Sequence, residues 1–203
     1  MSELEKTKED FDDIYAYVDY MAERFNKLNA HTEHLEKQFY ETIDRSYNVH
    51  RGAKIGNNVE IGEYCIIEDG VEIGDNTIVK NYVELRKGTI IGKDCYLDSH
   101  VISSGNNKIG DRVTIRYNSI IARGCDIGDD TFIAARLMTN NLDSKKVTIG
   151  GAKIGKKCFI GTNVVIQHGI DICDGAVIGA MSFINRDIST PGIYFGNPAK
   201  KYK

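Results

Sequence analysis

Two periodicities divide this chain. From Phe11 to about Thr42 the apolar positions recur at alternating steps of three and four: Phe11, Ile14, Val18, Met21, Phe25, Leu28, then Thr32, Leu35 and Phe39. Lys, Glu and Asp fill the gaps, and neither Gly nor Pro occurs before Gly52. This spacing predicts an amphipathic helix from about Ser2 to Arg45, in one piece or in two that meet near Asn29-Ala30-His31, where helix propensity dips. A narrow apolar stripe of that length must be buried against something. The two readings are a cap over the first coil of the following domain and a subunit contact, a coiled coil or a hairpin packed on a neighbour.

From Ile55 a six-residue beat takes over: aliphatic, often Gly, two polar, small, variable. It runs as fourteen hexads in one register from Ile55 to Met138, and as six more in a second register opening at Ile154, Ile160, Ile166, Ile172, Ile178 and Ile184. Position one is Ile, Leu or Val in nineteen of the twenty, with Ser103 the exception. One hexad cannot bury its aliphatic residue alone, so the pattern predicts short strands and turns stacked as a parallel β-helix around a common interior. Residues 1–52 are read as the helical segment and 53–203 as the repeat domain. The register fails from Thr139 to Lys153, an excursion loop of the kind that commonly carries function in repeat proteins.

Composition adds exclusions. The 203 residues carry a formal charge of −3 with a pI near 6.0, which gives no reason to expect nucleic acid or an anionic membrane as partner. No apolar run approaches a membrane span, and the start Met1-Ser2-Glu3-Leu4-Glu5 is not a signal peptide, so the expected compartment is the cytoplasm. Four of five cysteines, Cys65, Cys95, Cys125 and Cys158, fall at the fifth hexad place and read as buried reduced thiols. His31, His34 and His50 read as solvated, and no metal site is expected.

The motif aliphatic-Gly-x-x-small-x over about 150 residues resembles that of the hexapeptide-repeat acyltransferases. The resemblance implies an all-β, left-handed parallel β-helix with three hexads per triangular coil, assembled as a homotrimer. Residues 18 apart then lie one above another, about 4.8 Å apart. Tyr82, His100, Asn118 and Arg136 form one such column at the fourth hexad position, an outward corner, and Lys80, Asp98, Arg116 and Ala134 form another two places earlier.

The ending Gly196-Asn197-Pro198-Ala199-Lys200 is similar to the closing motif of the CoA-dependent sugar acetyltransferase branch. The likeness implies acetyl-CoA, or another short acyl-CoA, as co-substrate, with Lys200 and Lys203 meeting nucleotide phosphates and Gly161, Gly179 and Ala180 lying beside the pantetheine arm. The other reading is that Pro191 and Pro198 end the solenoid and the lysines are solvated. The run around Arg116-Tyr117-Asn118, with Arg136, Asn140 and Asn141, resembles the branch that N-acetylates nucleotide-linked amino sugars. Asn118 matches the residue beside the reacting amine there. The loop carries Asn140-Asn141 where many relatives carry a basic His, and His100 remains as a candidate base; His168 reads as structural. Absence of a loop His favours N-acylation, because a neutral amine attacks a thioester without the deprotonation a hydroxyl requires. O-acetylation through His100 is the alternative, and a non-catalytic scaffold or a γ-type carbonic anhydrase are weaker ones.

Overall fold

A computed structural model describes residues 21–33 and 48–202 of the chain, which forms two compact units, Met1–Arg45 and Ser46–Lys203. In the first unit residues 21–33 are helical without interruption, so the propensity dip at Asn29-Ala30-His31 causes no break. The rest of the expected Ser2–Arg45 helix, His34 included, lies outside the described residues. Among those described, no helix is long and apolar enough to cross a membrane.

The second unit is a left-handed parallel β-helix with three faces. Two-residue strands stack into eight on the first face, from Asn48–Val49 to Phe183–Ile184, and seven on the second, from Lys54–Ile55 to Asp171–Ile172. The third face has nine, from Glu60–Ile61 to the tail strands Ile193–Gly196 and Ala199–Lys201. Partners stand 18 residues apart, as in Ile66↔Glu84 and Thr114↔Tyr96. The solenoid opens one hexad before Ile55: Val49 pairs with Ile67, and the hexad 49–54 has Val first, Gly fourth and Ala fifth. Across the excursion the separation grows to 27, as in Met138↔Val165 and Phe132↔Phe159. Thr139 keeps the inward first-position place at 3 % exposure, and the chain leaves the coil after it.

The first position buries the core. Ile67, Leu85, Ile115, Ile121, Ile133, Ile160 and Ile178 are fully enclosed. Ser103 is tolerated there because it joins a buried polar layer. Its hydroxyl lies 2.7 Å from Thr89 Oγ1 and accepts from Asn107 Nδ2 at 2.8 Å, while Asn107 Oδ1 accepts the Cys125 N–H at 2.9 Å.

The fourth position is the second structural rule. In all fourteen hexads from Ile55 to Met138 it has positive φ, between +53° and +63° wherever the residue is not Gly. That conformation bends each coil by about a third of a turn and is costly for most side chains, at about 1–2 kcal/mol. Glycine at the second position has a different cause. At Gly56 the side chain of Asp75 from the next coil lies where a Cβ would be, 2.6 Å away, in order to accept the Asn57 N–H at 2.8 Å.

All five cysteines are free, and Cys65, Cys95, Cys125 and Cys158 are buried at the fifth position. Burial pushes all four thiols up, Cys95 to about 11. Since the thiolate is the reactive form, a thiol-specific disulfide reagent at pH 8 should modify the partly exposed Cys173 and leave these four unmodified until the chain unfolds. Release of more than one equivalent from the folded protein would contradict this placement.

Candidate functional site

The fourth-position rule separates the corners by chemistry; where the second face turns into the third the positive-φ residues are mostly Asn and Asp, with Arg112, Lys157 and Gly175. Where the first face turns into the second, the positive-φ residues are Gly70, Gly88, Asn106, Gly124 and Gly169, all types that accept this backbone readily. Where the third face turns into the first they are Tyr64, Tyr82, His100, Asn118, Arg136, Asn163 and Met181. Five of those seven are bulky or long side chains forced into a conformation they disfavour. Such strain persists only where surrounding structure over-determines it, and it gathers at functional sites. Here coil-to-coil hydrogen bonds hold it: His100 N–H donates to Asn81 O at 3.1 Å, Asn118 N–H to Ser99 O at 3.1 Å and Arg136 N–H to Tyr117 O at 3.0 Å.

Side chains in this column are ordered by stacking. Tyr64 and Tyr82 rings lie 5.0 Å apart at 12°, and Tyr82 and His100 lie 4.8 Å apart at 3°. The imidazole is therefore a fixed plate at the top of an aromatic stack, with Asn118 and then Arg136 on the coils above it. All three are exposed. On the adjoining third face, Arg116 pairs with Asp98 at 3.0 Å; the Asp98 side chain is largely buried and also accepts the Ser99 N–H at 2.8 Å. Tyr117 is 44 % exposed beside them. The structure thus brings His100, Arg116, Tyr117, Asn118 and Arg136 to one edge.

The excursion loop is elsewhere. It leaves after Met138–Thr139, at the corner between the first and second faces, so the width of the first face separates it from the column. Four residues of extended chain, from Arg136 to Asn140, span about 13 Å. Sequence spacing alone places the loop beside the column, because it does not show that a hexad turns the chain through a corner. The loop is a small hairpin: Leu142 bridges Thr148, Asp143 Oδ1 accepts the N–H groups of Lys145 and Val147 at 2.8 and 2.9 Å, and Asn141 O accepts from Ile149 at 2.9 Å. Leu142, Val147 and Ile149 are half-exposed on it. Asn140 is exposed and Asn141 partly buried. His168 sits by the loop's base, next to Gly169, whose N–H donates to Gly150 O at 3.0 Å. The His168 Nδ1 is buried with no hydrogen-bond partner.

The third face ends in the tail. Ile193 pairs with Val177, and the strand turns back through Asn197-Pro198 to pair Phe195 with Lys200. Phe195, Gly196, Asn197, Pro198, Lys200, Lys201 and Tyr202 line an open cleft of about 620 Å³. Lys201 Nζ is engaged with Thr190 Oγ1 at 3.1 Å, whereas Lys200 is exposed at the cleft. Lys203 lies outside the described residues. Gly161 is buried, and a Cβ there would stand 2.6 Å from Ala180 N, so the coil above already requires its glycine. Gly179 is partly buried beneath Phe195 and Ala180 is exposed. Among the described residues no group of three or more His, Cys, Asp or Glu is placed to hold a metal ion.

Sequence comparison with protein families matches residues 40–149, more than half of the chain, to the GMPPB C-terminal domain and residues 151–186 to the bacterial transferase hexapeptide, six repeats. The chain belongs to the hexapeptide-repeat transferase family. No curated protein matches the sequence. Among solved structures, a UDP-N-acetylglucosamine acyltransferase superposes with a TM-score of 0.60 at 22 % identity, over 75 % of this chain and 70 % of that one. The UDP-N-acetylglucosamine acyltransferase of Francisella novicida superposes with a TM-score of 0.50 at 21 % identity, over 69 % and 55 %. At these identities the superpositions establish that the hexapeptide-repeat chain shares the fold of those proteins.

Proposed function

We propose that this chain is an acyltransferase that moves an acetyl or other short acyl group from acyl-CoA to the amine of a nucleotide-linked amino sugar, working in the cytoplasm as a homotrimer. The observation that carries the reading is the strained column at one corner, where Asn118 stands between His100 and Arg136. The two faces that meet there have apolar outer stripes: Ile102, Ile120 and Met138 on the first, Tyr96, Phe132 and Phe159 on the third, with the last two rings stacked at 5.5 Å. The second face instead carries Lys54–Glu72 and Lys153–Asp171 pairs. Packing apolar faces of neighbouring protomers together leaves the polar column at the seam between them, sheltered from water, with the loop's Leu142, Val147 and Ile149 supplying further apolar contact.

In that seam the Asn118 side-chain carbonyl accepts a hydrogen bond from the substrate amine and aims its lone pair at the thioester carbon. The C–N bond forms, the C–S bond breaks, and the thiolate of CoA leaves with the proton the new ammonium gives up. We assign Arg136 and Arg116 to the diphosphate of the sugar nucleotide, a charge that Arg suits through its planar fork. We assign Lys200, exposed at the tail cleft, and Lys203 to the CoA phosphates, and Gly179 with the exposed Ala180 to the pantetheine arm.

His100 supports one competing reading, O-acylation with the imidazole as general base, because its ring is held in a single orientation on Tyr82. Turnover of His100→Ala with acetyl-CoA and a panel of nucleotide-linked amino and neutral sugars separates the two. Direct amine attack predicts that the variant keeps at least about a tenth of wild-type kcat on its amino-sugar substrate, since no base is removed from the rate-limiting step. An inert His100→Ala protein overturns N-acylation by direct attack, and a wild-type protein that binds no acyl-CoA in calorimetry overturns the enzyme reading altogether.

A further inference from the structure

The apolar stripe of the helix has no role in the chemistry proposed above, yet Met21, Phe25 and Leu28 are 47 %, 62 % and 65 % exposed. We infer that the N-terminal segment forms a parallel coiled coil with the same segment of the other protomers, with Met21, Phe25, Leu28 and Thr32 in its seam. The copy number, three, rests on the trimer reading; the pairing does not.

Four observations select another copy of this chain over other partners. The first is the width of the stripe. Steps of three and four alternate without a lapse from Phe11 to Thr42, and beside Phe25 the flanking heptad positions add no large apolar side chain: Arg24 and His31 on one side, Ala22 and Asn29 on the other, with Tyr15 and Tyr17 flanking Val18. A strict two-in-seven stripe is a coiled-coil seam, whereas a helix lying on a globular domain or a bilayer shows a broader face.

The second is charge. Residues 1–45 contain twelve Asp and Glu against six Lys and Arg, a net of −6, which repels an anionic lipid surface. In the heptad frame that excess sits mainly at outward positions, such as Asp12, Asp19, Glu23 and Glu33, leaving the flanks Arg24, His31 and Glu36 free of opposed like charges. The third is Thr32, the one polar residue of the described stripe. Its hydroxyl donates to Leu28 O at 2.9 Å within its own helix, so it can enter a dry seam without an unmet hydrogen bond. The fourth is the Glu23–Lys27 pair at 3.0 Å, which lies on the outward side and has the favourable order of acid before base. A threefold axis gives all three copies the same direction along it, so in the trimer the coil is parallel.

The test is disulfide trapping in the full-length chain, together with its mass by light scattering. Leu28→Cys and Met21→Cys put thiols in the seam, Lys27→Cys puts one outside it, and the wild type, with four of its five thiols buried, sets the background. Under mild oxidation the two seam variants should form covalent dimers about ten times faster than Lys27→Cys, because only there do the Cα atoms of two copies approach within about 7 Å. A trimeric mass with no excess cross-linking in either seam variant overturns the coiled coil and leaves the trimer standing. A monomeric mass overturns both. Seam cross-linking at a dimeric mass upholds the pairing and overturns the trimer.

Discussion

Asn118→Gly is expected to lower kcat for acyl transfer about a hundredfold while leaving the folded chain as stable as wild type, within about 0.5 kcal/mol. The choice of glycine matters. Asn118 has φ +58°, so alanine at this corner would add about 1 kcal/mol of backbone strain and confuse a lost contact with a distorted coil. Glycine adopts that backbone freely and removes only the amide. Asn118 is exposed and its side chain makes no hydrogen bond to any of the described residues, so no buried group is orphaned by its loss. The cost falls on orientation: an amine no longer held against the thioester loses the advantage of a positioned nucleophile. A split between kcat and KM tests the assignment. If Asn118 merely lined the pocket, KM would rise and kcat would stay, and that pattern would remove it from the reacting centre. Thermal unfolding of the same variant supplies the control.

A large stability effect is expected inside the solenoid, at the polar layer around Ser103. Asn107→Ala should destabilise the chain by about 3 kcal/mol, because it leaves the Cys125 N–H without its acceptor and the Ser103 hydroxyl with Thr89 alone in a fully buried site, and opens a small cavity. Ser103→Val, which restores the aliphatic first position, should nevertheless cost about 1–2 kcal/mol, since the Asn107 amide and Thr89 hydroxyl then face a methyl group. The two changes should not add. In the Asn107→Ala background the serine has already lost its Asn107 donor, and valine there should cost less than in the wild type, since only the Thr89 contact remains to be lost. Chemical denaturation of the four proteins measures the coupling. Additivity within about 0.5 kcal/mol would mean the layer is a set of separate contacts and not one network.

Much of the fold is legible in the hexads because their period fixes both strand length and which residue points inward. Ile at position one has a single low-energy place, the interior, and eighteen-residue pairing follows from three hexads per coil. Even the first coil could have been read, since Val49, Gly52 and Ala53 fit the pattern. The helix at residues 21–33 follows equally directly from its alternating steps, and its continuity through Asn29 shows that the propensity of a few residues is a small term beside the neighbouring turns. Ser103 looks like a lapse in the sequence and becomes intelligible only beside Thr89 and Asn107, which are 14 and 4 residues away.

The site is divided in the same way. The column of His100, Asn118 and Arg136 was open to arithmetic, and the sequence also held its best marker: tyrosine and histidine rings at a position where the first-to-second corner uses Gly or Asn and the second-to-third corner carries no aromatic residue. Reading that marker requires knowing that the fourth position has left-handed φ, a property of the folded coil and not of any residue type. The loop's place was out of reach for a related reason. Thr139 and Arg136 are three residues apart in the chain, but Arg136 stands at one corner and the strand Met138–Thr139 carries the chain toward the next before it departs, so proximity in sequence becomes opposite ends of one face. By itself the sequence determined the repeat, its inward residues and its stacked columns, because these depend on period alone. The tertiary structure decided which corner bears strain, where the loop emerges and which glycines the coils require, because these depend on backbone dihedrals and on contacts between coils that a linear pattern does not contain.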